Sequence, residues 1–209
     1  MAGKITALKV QKKNRDRVSV FLDDRFAFGI PAIVAARLKR GQLLSDEEIE
    51  ALKAEGESES AYSRTLNYLS YRPRSQAEIV TYLQKREVSA EGIDLIVERL
   101  ERAGLLDDEA FAQYWVENRE RFRPRGPRAL RYELRQKGVS AQVIEQALDG
   151  MDVVGSAHRA AEKKVRQLRN VDEQTFRRKL MDYLARRGFD YAVAREVTDR
   201  HWRELAADG

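Results

Sequence analysis

Three fifteen-residue stretches of this chain overlay without a gap: Ser75–Ser89 (SQAEIVTYLQKREVS), Gly126–Ser140 (GPRALRYELRQKGVS) and Phe176–Asp190 (FRRKLMDYLARRGFD). Ile79, Leu130 and Leu180 coincide, and four residues on so do Leu83, Leu134 and Leu184. Val88, Val139 and Phe189 share one apolar slot, and Ser89, Ser140 and Asp190 share the slot after it. The copies lie 51 and 50 residues apart. A near-constant period of that size signals a repeated supersecondary unit, and a unit that cannot bury its apolar face alone must stack on its neighbours. The apolar pairs sit at i, i+4, so each copy reads as a helix with one buried stripe. The residue in the shared cap slot then starts the next helix.

The middle copy concentrates charge. From Arg121 to Lys137 the chain carries Arg121, Arg123, Arg125, Arg128, Arg131, Arg135 and Lys137 against the single acid Glu133. Pro127 suits the first turn of a helix and Gly138 its stop. At about 100° per residue, Arg128, Arg131 and Arg135 fall on a face away from Leu130 and Leu134 and are expected to point outward. The third copy adds Arg177, Arg178, Arg186 and Arg187, and Arg72 and Arg74 flank Pro73 ahead of the first. Acids collect elsewhere, in Ser45–Glu59 and Glu91–Glu101. Solvated faces normally mix signs, so this segregation points to an oriented basic surface. These thirteen cations are the candidate partner- or DNA-binding residues.

Over the whole chain 39 basic residues face 34 acidic ones, a net charge of +5, so local clustering matters more than the sum. That balance favours a polyanion or an acidic protein surface as partner. Zero cysteines exclude disulfides and thiol chemistry and fit a reducing compartment. The N-terminus has no signal-peptide core, and the longest apolar run, Ile30–Ala36, is too short to cross a bilayer. A cytoplasmic monomer without membrane contact is expected.

Residues 4–30 differ from the rest. Ile5, Leu8 and Val10, then Val18, Val20 and Leu22, have strand-like spacing, with Lys12–Asp16 and Asp23-Asp24 as turns. A small antiparallel hairpin or meander of two or three strands is expected, then a short helix from Pro31 to Arg40 closed by Gly41. Ser45-Asp46-Glu47-Glu48 opens a second short helix, to about Ala54, with a capping box. Glu55–Ser60 reads as a linker. The organisation expected is an extension at 1–57 and three-helix repeats at 61–106, 107–150 and 152–206, mainly α in an elongated array.

No constellation in the chain suits catalysis. His158 and His201 fall in different helices and read as surface or lightly packed residues. Asp23-Asp24 and Asp107-Asp108-Glu109 read as a turn and a helix cap rather than a metal or acid–base site. P-loop, dinucleotide and nucleophile-elbow motifs are absent. No enzyme, cofactor or metal is expected. Tyr71 and Phe122 each sit beside an Arg-Pro-Arg triplet, where either a hydrophobic staple at the helix entry or a recognition role would place an aromatic. The Lys137–Ser140 turn also suits a helix-turn-helix, but the following helix offers Gln142, Glu145, Gln146 and Asp149 and would be repelled by phosphates.

Leu69–Ser75 with Glu78, Gly104–Asp108 with Phe111-Ala112, Gly126 with Glu133–Val139, and Tyr183–Asp190 occur in an order and spacing that resemble the RecX regulatory proteins of bacteria. The resemblance covers about Ala61 to Trp202, and the N-terminal strands look like the extension of longer members. It implies three tandem three-helix repeats. It also implies a modulator, usually inhibitory, that lies in the groove of the RecA–DNA filament and impedes its growth, strand exchange and ATP hydrolysis. It supplies no catalytic residues. Direct DNA contact, without a recombinase partner, is the alternative that the charge pattern leaves open. Glu87 departs from the pattern, standing where the other copies have Gly138 and Gly188, so a differently shaped turn is expected there.

Overall fold

The computed structural model describes residues 2–207 and resolves two compact units, one of residues up to Arg72 with Ile79–Leu105, the other of Pro73–Glu78 with residues from Leu106 onward. The first unit opens with strands β1 (Gly3–Gln11), β2 (Asn14–Leu22) and β3 (Arg25–Pro31). Asp23 and Asp24 both adopt left-handed backbone, φ 46° and 65°, the tight hairpin turn whose twist matches the flanking strands. The dyad is thus a turn, as its sequence suggests.

The helix expected from Pro31 to Arg40 is only one turn long, α1 (Ala32–Ala35). The chain beyond it is drawn back to the sheet: Gly41 N donates to Ile5 O at 2.7 Å and Ile5 N to Gln42 O at 2.8 Å. Leu43–Leu44 then forms β4 on the edge of β1, giving an antiparallel sheet of order β3-β2-β1-β4. Ile5, Val20, Phe28, Ile30, Leu44 and Leu52 are buried in its core.

Ser45 caps the next helix as expected, its Oγ accepting from Glu48 N while Ser45 N donates to Glu48 Oε2. The linker does not form. One helix, α2 (Asp46–Ser70), runs without a break through Glu55–Ser60, so the second short helix and the first helix of the first repeat are continuous. Tertiary contact reverses the local signal. Gly56 is buried against β3, and a Cβ there would lie 2.6 Å from Ile30 Cγ2. Arg17 crosses Gly29, donating to Gly29 O at 2.8 Å and to Ser60 Oγ at 2.9 Å. Glu59 takes a two-point bond from Arg99. The small and acidic residues that look like a linker fit the helix to its neighbours.

The remaining helices are α3 (Gln76–Gln84) and α4 (Ala90–Arg102), then α5 (Asp108–Phe122), α6 (Pro127–Gln136) and α7 (Ala141–Leu148), then α8 (Val153–Gln167), α9 (Glu173–Arg186) and α10 (Tyr191–Ala207). Ile79, Leu83, Leu130, Leu134, Leu180 and Leu184 are all fully buried, as their spacing requires. Ser89, Ser140 and Asp190 each cap the helix that follows, through Gly92 N, Val143 N and Val193 N.

The turn between second and third helix has one shape in all three repeats, which corrects the expectation for Glu87. Glu87, Gly138 and Gly188 are left-handed, with φ 60°, 76° and 88°. In each, the next amide bonds back to a buried leucine carbonyl: Val88 N to Leu83 O, Val139 N to Leu134 O and Phe189 N to Leu184 O. This is the Schellman closure, which satisfies orphan carbonyls at a helix end. Glu87 adopts it without glycine's freedom.

Candidate interaction surface

The thirteen cations do not form one free surface, because helix packing claims about half of them. Glu133, on the inner side of α6, accepts from Arg119 Nε at 2.7 Å and Trp115 Nε1 at 2.8 Å, and Arg125 Nε lies 3.0 Å from its other oxygen. Lys137 is only 18% exposed, bonding Glu78 Oε1 at 3.0 Å with its Nζ 4.3 Å above the Trp115 ring. Arg131 makes two parallel bonds of 2.8 Å to Glu145 on α7. The Arg131 bond holds the Glu145 carboxyl below its usual range, and Glu145 in turn raises the guanidinium. Arg131 therefore lies across to α7 rather than outward with Arg128 and Arg135.

In the third repeat Arg177 is paired with both Glu173 and Asp199. Arg187 donates to Pro124 O at 3.1 Å and covers the Tyr183 ring. Arg72 and Arg74 are half-buried and engaged within the fold. What is left is Arg121, Arg123, Arg128 and Arg135 in the second repeat, and Arg178 and Arg186 in the third. All six are exposed and, among the described residues, none is in an ion pair within 4 Å, although the Arg135 charge helps to lower the Glu145 carboxyl.

Each unit also carries exposed aromatics. Tyr71 is 77% exposed and Phe122 64%, with Arg121 stacked 5.1 Å from the Phe122 ring. Neither is packed as a staple would be. Tyr132, 66% exposed, stands on α6 at i+4 from Arg128 and i−3 from Arg135. Sequence reading passed over Tyr132, although that spacing alone puts it beside both arginines. The accessible face of α6 is thus arginine–tyrosine–arginine, able to offer charge and a ring face together.

Other polar groups of the second unit serve caps and helix contacts. Asp107 caps α5 through Glu109 N and Ala110 N, and Asp108 accepts from Gln76 N at 2.9 Å. Burial raises the Asp108 carboxyl, against the Gln76 bond, and Asp107 and Glu78 nearby add to the rise. His158 and His201, expected as surface or lightly packed residues in different helices, are half-buried and meet: His158 Nδ1 lies 3.2 Å from His201 Nε2 between α8 and α10. Burial foremost, then the neighbouring His158, lowers the His201 imidazole. Among the described residues no group of three or more His, Asp or Glu is placed to hold a metal ion.

Four family models match the chain in order: the regulatory protein RecX N-terminal domain over residues 3–45, and the first, second and third RecX three-helix domains over 61–100, 107–148 and 154–198. The regulatory protein RecX of Oceanobacillus iheyensis is 31% identical over 225 residues, covering 99% of this chain and 83% of that one. That of Bacillus subtilis is 32% identical, covering 94% and 76%. A crystal structure of a regulatory protein RecX superposes with a TM-score of 0.74 at 31% identity, over 94% of this chain and 99% of the other. RecX from Lactobacillus salivarius gives 0.61 at 25%, over 72% and 97%. Among the described residues no helix is long and apolar enough to cross a membrane.

Proposed function

Because this chain belongs to the RecX family of regulatory proteins, we propose that it binds the RecA nucleoprotein filament and inhibits its recombinase and ATPase activities. The observation that carries this reading is the α6 face. Arg128 and Arg135 are exposed and in no ion pair within 4 Å among the described residues, on a helix whose opposite side is locked by Leu130 and Leu134. A rigid cationic face desolvates against an acidic or phosphate-bearing surface at little conformational cost. Inhibition then needs no chemistry from this chain. Occupying the filament blocks protomer movement and addition, and the protein acts as a cytoplasmic monomer.

The second reading, a tandem helical DNA-binding protein without a recombinase partner, is favoured by Tyr132 and Phe122. Exposed rings between arginines are the elements that stack unpaired bases. One experiment separates the two: co-sedimentation with RecA filaments formed on single-stranded DNA with a non-hydrolysable ATP analogue, beside the same DNA alone. Tighter association with the filament and a slowed ATPase rate support the regulator. Equal association with both and an unchanged ATPase rate would leave the DNA binder.

A further inference from the structure

The three Schellman turns share a backbone but not a role. At the α6–α7 turn, Lys137 O accepts from Ser75 Oγ at 2.6 Å and Lys137 Nζ holds Glu78. At the α9–α10 turn, Arg187 O accepts from Gly126 N at 2.9 Å and Arg187 Nη1 donates to Pro124 O. The cation in this slot therefore twice receives another segment of chain. Arg86 fills the slot in the first repeat. Its guanidinium donates to Tyr82 O of its own helix and lies 3.6 Å over the Tyr82 ring, which is itself stacked 4.1 Å from Tyr68.

Arg86 and Glu87 border a cleft of about 640 Å³ contained within the first unit. Such a volume lies inside the ~300–1,000 Å³ of ligand-binding clefts. One wall is the α3–α4 turn and another is β3, with Arg17 fixed across it by Gly29 O and Ser60 Oγ. The α2 side presents Lys53, Glu57 and Arg64, spaced i, i+4 and i+11 on one helix face. Four cations thus line a cleft that also holds two carboxylates, Glu57 and Glu87; Arg17 and Arg86 are fixed by carbonyls of their own unit, Lys53 Nζ lies 2.7 Å from Glu50 Oε1, and exposed Arg64 is in no ion pair among the described residues. Glu87 also keeps a left-handed backbone where the equivalent residues are glycine, and strain of this kind collects at binding sites.

We propose that this cleft docks an acidic peptide segment of a partner protein. The mixed lining selects that class over nucleic acid. A phosphodiester strand carries charge at every residue and would meet Glu57 and Glu87 head-on. An acidic peptide sets its carboxylates against Arg17, Lys53, Arg64 and Arg86 and turns backbone N–H groups toward the two glutamates. The site lies on different residues from the α6 face, and its test needs no recombinase, so it stands or falls separately from the proposed function.

The test is fluorescence anisotropy of a fluorescein-labelled twelve-residue peptide of Asp and Glu spaced by Gly and Ser, titrated with the full chain at low salt. Saturable binding is expected, weakened at least tenfold by Arg64→Glu and by Lys53→Glu. Arg64→Glu should keep the wild-type circular dichroism and melting temperature, Lys53→Glu should keep the circular dichroism with a slightly lower melting temperature as its Glu50 pair is lost, and Arg128→Glu/Arg135→Glu should bind the peptide normally. Three results would overturn the proposal: no saturable binding; loss in the α6 double variant with none in Arg64→Glu and Lys53→Glu; or a twelve-nucleotide oligothymidine that displaces the peptide and is itself lost in Arg64→Glu.

Discussion

Arg131 on α6 and Glu145 on α7 are joined by two parallel hydrogen bonds, each 2.8 Å, so one of three arginines on a helix is committed to its own fold. Arg128 and Arg135, three residues before and four after it, remain exposed. The difference divides what mutation of the three should do.

Arg128→Glu/Arg135→Glu should leave folding stability within about 0.5 kcal/mol, as exposed charges away from packed features contribute little. Filament binding should fall sharply, because like charges brought together across an interface cost several kcal/mol. Arg131→Glu should in addition lower the melting temperature by placing a second carboxylate against Glu145. Co-sedimentation and thermal melts on the two variants read both effects. Normal filament binding by the double variant would remove α6 from the interface.

Leu134→Ala should do the reverse. The side chain is fully buried among Phe111, Val116, Leu130 and Ile144. Its truncation leaves a cavity worth ~2–5 kcal/mol. Urea denaturation should show that loss, and binding should decline only as far as the fold does.

Glu87 and Gly138 should respond oppositely to exchange. Glu87→Gly relieves a left-handed backbone that costs a non-glycine residue roughly 1–2 kcal/mol. Part of that is returned as greater freedom of the unfolded chain, so a gain of about 0.5–1 kcal/mol is expected. Gly138→Ala acquires the same strain at φ 76°, and its methyl would also overlap Ala77 Cβ, so destabilisation beyond 1 kcal/mol is expected. Shifts in urea midpoint at constant slope measure both.

Gly56→Ala should destabilise the chain by ~1–3 kcal/mol, the usual cost of overpacking a filled core, although alanine is the better helix former. The contact with Ile30 decides the sign. Deleting residues 1–57 cuts α2 inside its length and removes Arg17, which donates to Ser60 Oγ. Hydrogen exchange should then show lost protection in the rest of α2, while the second unit's core stays protected. Full protection of residues 61–70 in the deletion would show that the sheet does not support the helix.

The histidine pair should make stability fall in mild acid. His201 is lowered by burial first and by His158, with Arg200 acting in the same direction and Glu204 and Glu162 opposing. The folded state then binds fewer protons than the unfolded chain. Stability is fully present above the unfolded value near 6.5 and is lost as pH drops below it toward the folded value. Melting temperatures from pH 7.5 to 5.0 should decline less steeply in His201→Gln than in the wild type. Parallel curves would show that the fall has another origin.

Much of the fold is readable in the chain because its signals are short-ranged. The Ser45–Glu48 box, the apolar pairs such as Leu130 and Leu134, and the caps at Ser89, Ser140 and Asp190 act over three or four residues. The hydrophobic period and the repeat follow from them. Which cations stay free does not, since it depends on pairs far apart in sequence: Lys137 with Glu78, 59 residues away, and Arg187 with Pro124, 63 away. His158 finds His201 across 43 residues. The Glu55–Ser60 stretch shows the same divide, because a glycine among acids breaks a helix in isolation but fits one to a sheet once Ile30 is beside it. Local propensity is worth about 1 kcal/mol at such a position, and close packing between elements outweighs it. Sequence by itself determined most of the helices and their repetition; tertiary packing decided continuity at α2, the shortness of α1 and the edge strand β4, and it left Arg128, Tyr132 and Arg135 facing solvent.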